Sequence, residues 1–199
     1  MSTATLTANI PEPELTVRQT ELRDSLVALV LSQGFSRLTV DEVAASLGCS
    51  KRTLYALARS KEQLATLAVR HFFRTATLQV EAAIARTRSP ARRVTRYLEA
   101  VAAALRPSSP AFRADVARFA PAREIYETNT QAAAQRVREL IEEGTAAGHF
   151  RTVPGDFVAE VITATMRRIT SGEVERATGL DDAEAYTELA KLVLAAVRR

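Results

Sequence analysis

The chain has 199 residues, 47% of them apolar and 25% charged, with a formal net charge of +4. That composition supplies a core and argues against wholesale disorder, and the single cysteine excludes an internal disulfide framework. Apolar runs such as "LVALVL" fall far short of the roughly 20 residues a membrane span needs, and the pI near 9.6 fits a polyanionic partner without naming one, because Arg92, Arg93, Arg136, Arg167 and Arg168 scatter the charge.

The opening "MSTATLTANIPEPEL" has neither the basic start nor the apolar run of a secretory signal, so the expectation is a cytoplasmic chain. Residues 1–14, with Pro11 and Pro13, read as a mobile arm. A helix then carries Leu22, Leu26, Leu29 and Val30 on one face until Gly34 stops it, with Phe35 folding back onto that face. A second, short helix opens on "TVDE", a capping box from Thr39 to Glu42, and runs to Leu47 before Gly48; a third starts at Ser50. The fourth opens on "SKEQ", a second capping box from Ser60 to Gln63, and no breaker interrupts it through "EAAIART", which makes it unusually long.

Beyond it, Ser89-Pro90 and Ser109-Pro110 each read as a capping serine followed by a first-turn proline. Pro121 starts a long helix through Glu143 that Gly144 and Gly148 end, "TVPGD" makes a turn, and two helices close the chain at about 156–171 and 181–198. Few glycines and prolines, all falling between segments of three-and-four periodicity, predict an all-α fold.

The stretch "VDEVAASLGCSKRTLYALAR" fits two short helices packed across a tight turn. Val43 and Leu47 are buried on the first, Ala44 is small where backbones meet, Gly48 takes positive φ, and Cys49, Leu54 and Leu57 face inward. Cys49 reads as a small hydrophobe, not a thiol sensor. With Leu54 and Leu57 inside, the helical period turns Lys51, Arg52, Thr53, Tyr55 and Ala56 outward at the amino end of the second helix. A helix entering the major groove amino end first lets Lys51 and Arg52 reach guanine O6/N7 or phosphate, Thr53 meet a thymine methyl and Tyr55 donate to a phosphate. Thr39 and Lys61, at helix starts with unpaired amides, suit phosphates.

These residues, "LTVDEVAASLGCSKRTLYALARSKEQL", resemble the TetR (tetracycline repressor) family of bacterial transcriptional regulators over roughly Leu15 to Arg70. The resemblance implies an amino-terminal three-helix DNA-binding module with a helix-turn-helix at 15–59 and a larger helical effector-binding and dimerisation domain at 60–199. It makes Thr39, Ser50, Lys51, Arg52, Thr53, Tyr55 and Lys61 the set that contacts double-stranded DNA, and it implies a repressor released from a palindromic operator by a small-molecule effector. A helical binding protein that lacks the switch, or an activator, is the alternative, since nothing in the chain reports where an operator lies. The family commonly carries an aromatic or His in place of Leu57 and Phe in place of Ala58, so a phosphate donor and a large plug are missing here.

In the second half, Tyr97, Phe112, Phe119 and Tyr126 lie on helices that in this family surround an effector cavity, although aromatics fill helical cores in any case. Phe157 and Val161 on one closing helix and Leu189, Leu192 and Val193 on the other predict a homodimer joined through a four-helix bundle. The two histidines, His71 and His149, stand far apart in sequence with no acid pair, metal-ligand spacing or phosphate loop near either, so the expectation is no enzyme, no metal and no cofactor.

Overall fold

The computed structural model describes residues 15–198, and among these it is all-α. The proposed mobile arm at 1–14 lies outside the described residues. Ten helices follow in order among the described residues: α1 (Val17–Gln33), α2 (Val40–Ser46), α3 (Lys51–Tyr55), α4 (Lys61–Ile84), α5 (Pro90–Leu105), α6 (Pro110–Arg118), α7 (Ala120–Ala146), α8 (Gly155–Thr170), α9 (Glu173–Thr178) and α10 (Asp182–Val197). None of the described helices is long and apolar enough to cross a membrane.

Local chemistry sets most of the starts. Thr16, Thr39 and Asp181 each close a capping box, with Gln19, Glu42 and Glu184 reaching back. Ser109 Oγ accepts from the Phe112 amide at 3.1 Å, as its Ser-Pro pair predicts. The first Ser-Pro pair behaves differently: Ser89 makes no side-chain cap, and only Pro90 in the first turn marks the start of α5. At α4 the Ser60 hydroxyl accepts from the Gln63 amide at 3.2 Å, but the Gln63 side chain accepts from the Arg59 amide, one residue earlier than a capping box requires.

Two further elements depart from the expectation. Gly144 does not end α7, which continues through it to Ala146 before Gly148 turns the chain at φ +75°. Gly144 serves space instead: a Cβ there would stand 2.3 Å from two ring carbons of the buried Phe150. Between the two closing helices lies the unanticipated α9, six residues bracketed by Gly172 and Gly179.

The described residues form two compact units that do not follow a single cut in the sequence. One holds residues 15–75 together with Pro107–Tyr126; the other holds Ala76–Arg106 and residues 127–198. In the first, α1 packs on α6 and α2 on α3, over a core that includes Leu26, Leu54, Val69 and Phe112. Aromatic rings knit it edge-on: Phe35 to Phe119 at 5.6 Å, Phe72 to Phe73 at 4.9 Å and to Phe112 at 6.0 Å, and Phe73 to Tyr126 at 5.1 Å. In the second, α5 packs along α10, and α8, α9 and α10 pack on one another around Leu98, Ile162, Met166 and Tyr186. Arg136 sits half-sheltered there between Glu81 at 3.0 Å and Glu139 at 2.9 Å.

Replacing Gly144 by alanine gains helix propensity of about 1 kcal/mol but drives a methyl into a ring that has no room to retreat. Gly144→Ala is expected to lower stability by about 1–3 kcal/mol net in urea unfolding.

Candidate nucleic-acid interface

The surface of interest is built by α2, α3 and the first residue of α4. The turn between α2 and α3 closes when the Cys49 amide donates to the Ala44 carbonyl at 2.9 Å. Gly48 supplies φ +60°, and a Cβ there would meet nothing within 4 Å, so the position needs glycine's backbone and not its small size. Val43, Ala44 and Leu54 are buried, Leu54 completely, whereas Leu47, Cys49, Leu57 and Ala58 are only half-buried. Burial pushes the Cys49 thiol above its ordinary pKa, which suits a packed sulfhydryl and not a reactive thiolate.

With Leu54 fixed inside, Lys51, Arg52, Tyr55 and Ala56 are exposed and Thr53 is half-exposed. The hydroxyls around them are already engaged. Thr39 Oγ1 accepts from the Glu42 amide at 3.2 Å and donates to the Glu42 carboxylate at 2.8 Å, and the bonds from Thr39 hold that carboxyl below its usual range. Ser50 Oγ accepts from the Thr53 amide at 3.1 Å and shares a hydrogen bond of 2.8 Å with Thr53 Oγ1. Ser50 therefore caps its own helix, and the Thr53 hydroxyl is engaged with that cap.

The cations differ from one another. Lys51 Nζ lies 2.7 Å from Asp41 Oδ2 on α2, and that carboxylate holds the ammonium above its ordinary pKa. Lys61 Nζ donates to the Ser36 carbonyl at 2.7 Å, a bond that aims the side chain without cancelling its charge. Arg52 makes no ion pair among the described residues and presents its full guanidinium outward. Six of the seven residues expected to contact DNA thus lie at the starts of α2, α3 and α4, and Tyr55 stands at the other end of the five-residue α3.

Sequence reasoning did not find Asp41 as the partner of Lys51. The ten-residue separation carries no helical or strand periodicity, and only the turn geometry brings the two together.

The other predicted residues fall elsewhere. Tyr97 is buried in the unit that holds α5 and α10, and burial pushes its phenol well above the ordinary value. Phe112, Phe119 and Tyr126 lie in the other unit, in the edge-on ring contacts with Phe35, Phe72 and Phe73. Phe157, Val161, Leu189, Leu192 and Val193 line one groove of about 480 Å³ between α8 and α10, with Phe157 and Leu192 each 68% exposed.

Residues 22–67 match the family described as bacterial regulatory proteins, tetR family. Solved structures with the same fold include a protein described as a transcriptional regulator from Saccharomonospora viridis, in complex with choline (17% identity, covering 92% of this chain and 98% of that one, TM-score 0.73). The ketosteroid transcriptional regulator KstR2 of Mycobacterium tuberculosis is 20% identical over 94% of this chain and 97% of its own, with a TM-score of 0.59. A TetR-family transcriptional regulator from Agrobacterium tumefaciens is 16% identical over 91% and 100%, at 0.66. No curated protein matches the chain.

Because Asp41 neutralises Lys51 while Lys61 keeps its charge, the two lysines should weigh differently on DNA. Asp41→Asn is expected to raise DNA affinity with little change in salt slope, because Lys51 no longer has to leave a carboxylate, and Lys61→Ala to flatten the slope by about one unit, in titrations across a salt series. Arg52→Ala is expected to cost about 1–3 kcal/mol on a preferred sequence and little on a scrambled one.

Proposed function

We propose, for a chain whose amino-terminal module belongs to the tetR family of bacterial regulatory proteins, that it acts as a dimeric repressor, bound to an inverted-repeat operator and released by a small molecule. The observation that carries the DNA-binding part is the division of α3: Leu54 is wholly buried while Lys51, Arg52 and Tyr55 on the same five residues stand in solvent. A helix held by a single apolar anchor presents nearly its whole outer face to a groove.

In this reading α3 enters the major groove amino end first. Arg52 pairs with guanine O6 and N7, and the Thr53 methyl meets a thymine methyl. Lys51 exchanges the Asp41 carboxylate for a guanine edge or a phosphate. Tyr55 donates to a phosphate, and Thr39, Ser50 and Lys61 bring helix starts, with their unpaired amides and one full charge, against the backbone.

Dimerisation is supported by the groove between α8 and α10. Phe157, Val161 and Leu192 are large apolar side chains left partly in water, and covering each by a second copy contributes at most about 1.5–3 kcal/mol. Two such helices from each copy make a four-helix bundle and give the two-fold axis that an inverted repeat matches.

Effector release is supported by likeness, since the Saccharomonospora viridis protein holds choline, and by the continuity of α4. That helix runs without a break from Lys61, in the DNA-facing surface, to Ile84, a length of roughly 36 Å at the usual rise per residue. A ligand that favours a different setting of the far end tilts the near end with it, and by linkage operator and ligand weaken each other equally. Of the four aromatics, Tyr97 is the one we retain for the effector, because ring-to-ring packing already occupies the other three.

Selection from random DNA is expected to enrich an inverted repeat whose half-sites lie about 34–36 Å apart, and a pool that stays unenriched would end the DNA-binding reading. Leu192→Glu is expected to reduce the sedimenting mass to that of one chain, 21.7 kDa, and to weaken operator binding with it. An unchanged dimer with unchanged affinity would place the interface elsewhere.

A further inference from the structure

The turn that leads into α2 is held from a distant part of the chain. Asp115, on α6, is buried, and its Oδ2 accepts from the amides of both Phe35 at 2.6 Å and Ser36 at 2.8 Å. Those bonds lower the carboxyl's pKa against the opposing effect of burial, so the group is ionised and a strong acceptor. The fit tolerates no side chain at Gly34: the residue takes φ +76° and ψ −170°, a region essentially closed to other residues, and a Cβ would stand 2.5 Å from the same Oδ2.

Neighbouring bonds act on the same few residues. The Ser109 amide donates to the Leu31 carbonyl at 2.9 Å, and Phe119 meets Phe35 edge-on. The Ser36 carbonyl, in the peptide unit after the one whose amide meets Asp115, accepts from Lys61 Nζ at 2.7 Å. Ser36 is thus gripped at its amide by α6 and at its carbonyl by the first residue of α4. Three residues later Thr39 caps α2, so where this turn sits decides where α2 and α3 begin.

We propose that Asp115 is a positioning residue for DNA reading: its carboxylate latches the Gly34–Ser36 turn, so that segment 107–126, and not the first sixty residues alone, sets the stance of the helix-turn-helix. This rests on the reading of α3 as the DNA-contacting helix. Asp115 touches no DNA itself. It acts through the turn, and its loss alters how accurately Arg52 and Lys51 meet base edges, not how much charge the surface carries.

The test uses the full chain and the operator obtained by selection, compared with scrambled DNA of equal length. Asp115→Ala, at a temperature where circular dichroism shows it folded, is expected to lose roughly tenfold in operator affinity, within the range usual for coupling between sites. Its affinity for scrambled DNA and its salt slope should stay as in the parent, because no phosphate contact is removed. Asp115→Asn, which keeps an oxygen acceptor, should restore most of the operator affinity. Hydrogen exchange at the Phe35 and Ser36 amides should accelerate in the alanine variant. If that variant does not fold, Asp115→Glu, which keeps the charge but displaces the carboxylate, must show the same selective loss.

Full operator affinity in the folded alanine variant overturns the proposal, as does an equal loss on operator and scrambled DNA. A parent chain that selects no sequence ends the DNA reading instead, and exchange at the two amides then decides the latch by itself.

Discussion

A helix of five residues has no stability of its own. Nucleating a helical turn is unfavourable, and isolated helices well beyond this length are marginal in water. The outward face of α3 therefore depends on what holds it: Leu54 with no exposed surface, the Ser50 cap on the Thr53 amide, and the Cys49-to-Ala44 bond that closes the turn behind it. Remove any one and the cations remain on the chain but lose their common direction. The rest of the first unit serves this constraint, since the core beneath Leu54 has to be rigid enough for a single leucine to anchor so short a helix.

Much of this was legible because it is local. Capping boxes, the Ala44-to-Gly48 spacing and the apolar periodicity of α1 and α4 each depend on residues a few positions apart, and the helices formed where those signals stood. The failures share the opposite property. Gly144 looks like a stop, but the helix passes through it, and what the missing side chain provides is room for the ring of Phe150, six residues on. Ser89 looks like a cap and makes no such bond. The short α9 has too few residues to show a period. Asp41 against Lys51 and Asp115 against the Gly34–Ser36 turn are tertiary pairings across 10 and 79 to 81 positions, and no pattern in the string marks them.

The aromatics show the same limit from another side. Sequence places Tyr97, Phe112, Phe119 and Tyr126 on helices of the second half, and an aromatic on an amphipathic helix satisfies a core and a pocket equally well. Only coordinates separate Tyr97, buried among α5 and its neighbours, from the three whose rings meet Phe35, Phe72 and Phe73. On the closing helices the sequence showed an apolar stripe, and the structure adds that Phe157 and Leu192 of that stripe stand exposed on the single chain.

The interleaving of the two units bears on how such a protein can be taken apart. Among the described residues the chain passes between them three times, inside α4 after Thr75, after Arg106, and inside α7 after Tyr126. A fragment truncated near residue 60 would keep the whole helix-turn-helix yet lack Phe112, Val116 and Asp115, so its hydrophobic interior would be open along one side. Grafting the helix-turn-helix onto another helical domain by a single splice would leave the same gap. Exchange between relatives of this architecture has to carry the 107–126 insert along with the amino terminus, or replace it by an insert that fills the same volume. Two stretches separated by some thirty residues of foreign territory are thereby inherited as one piece.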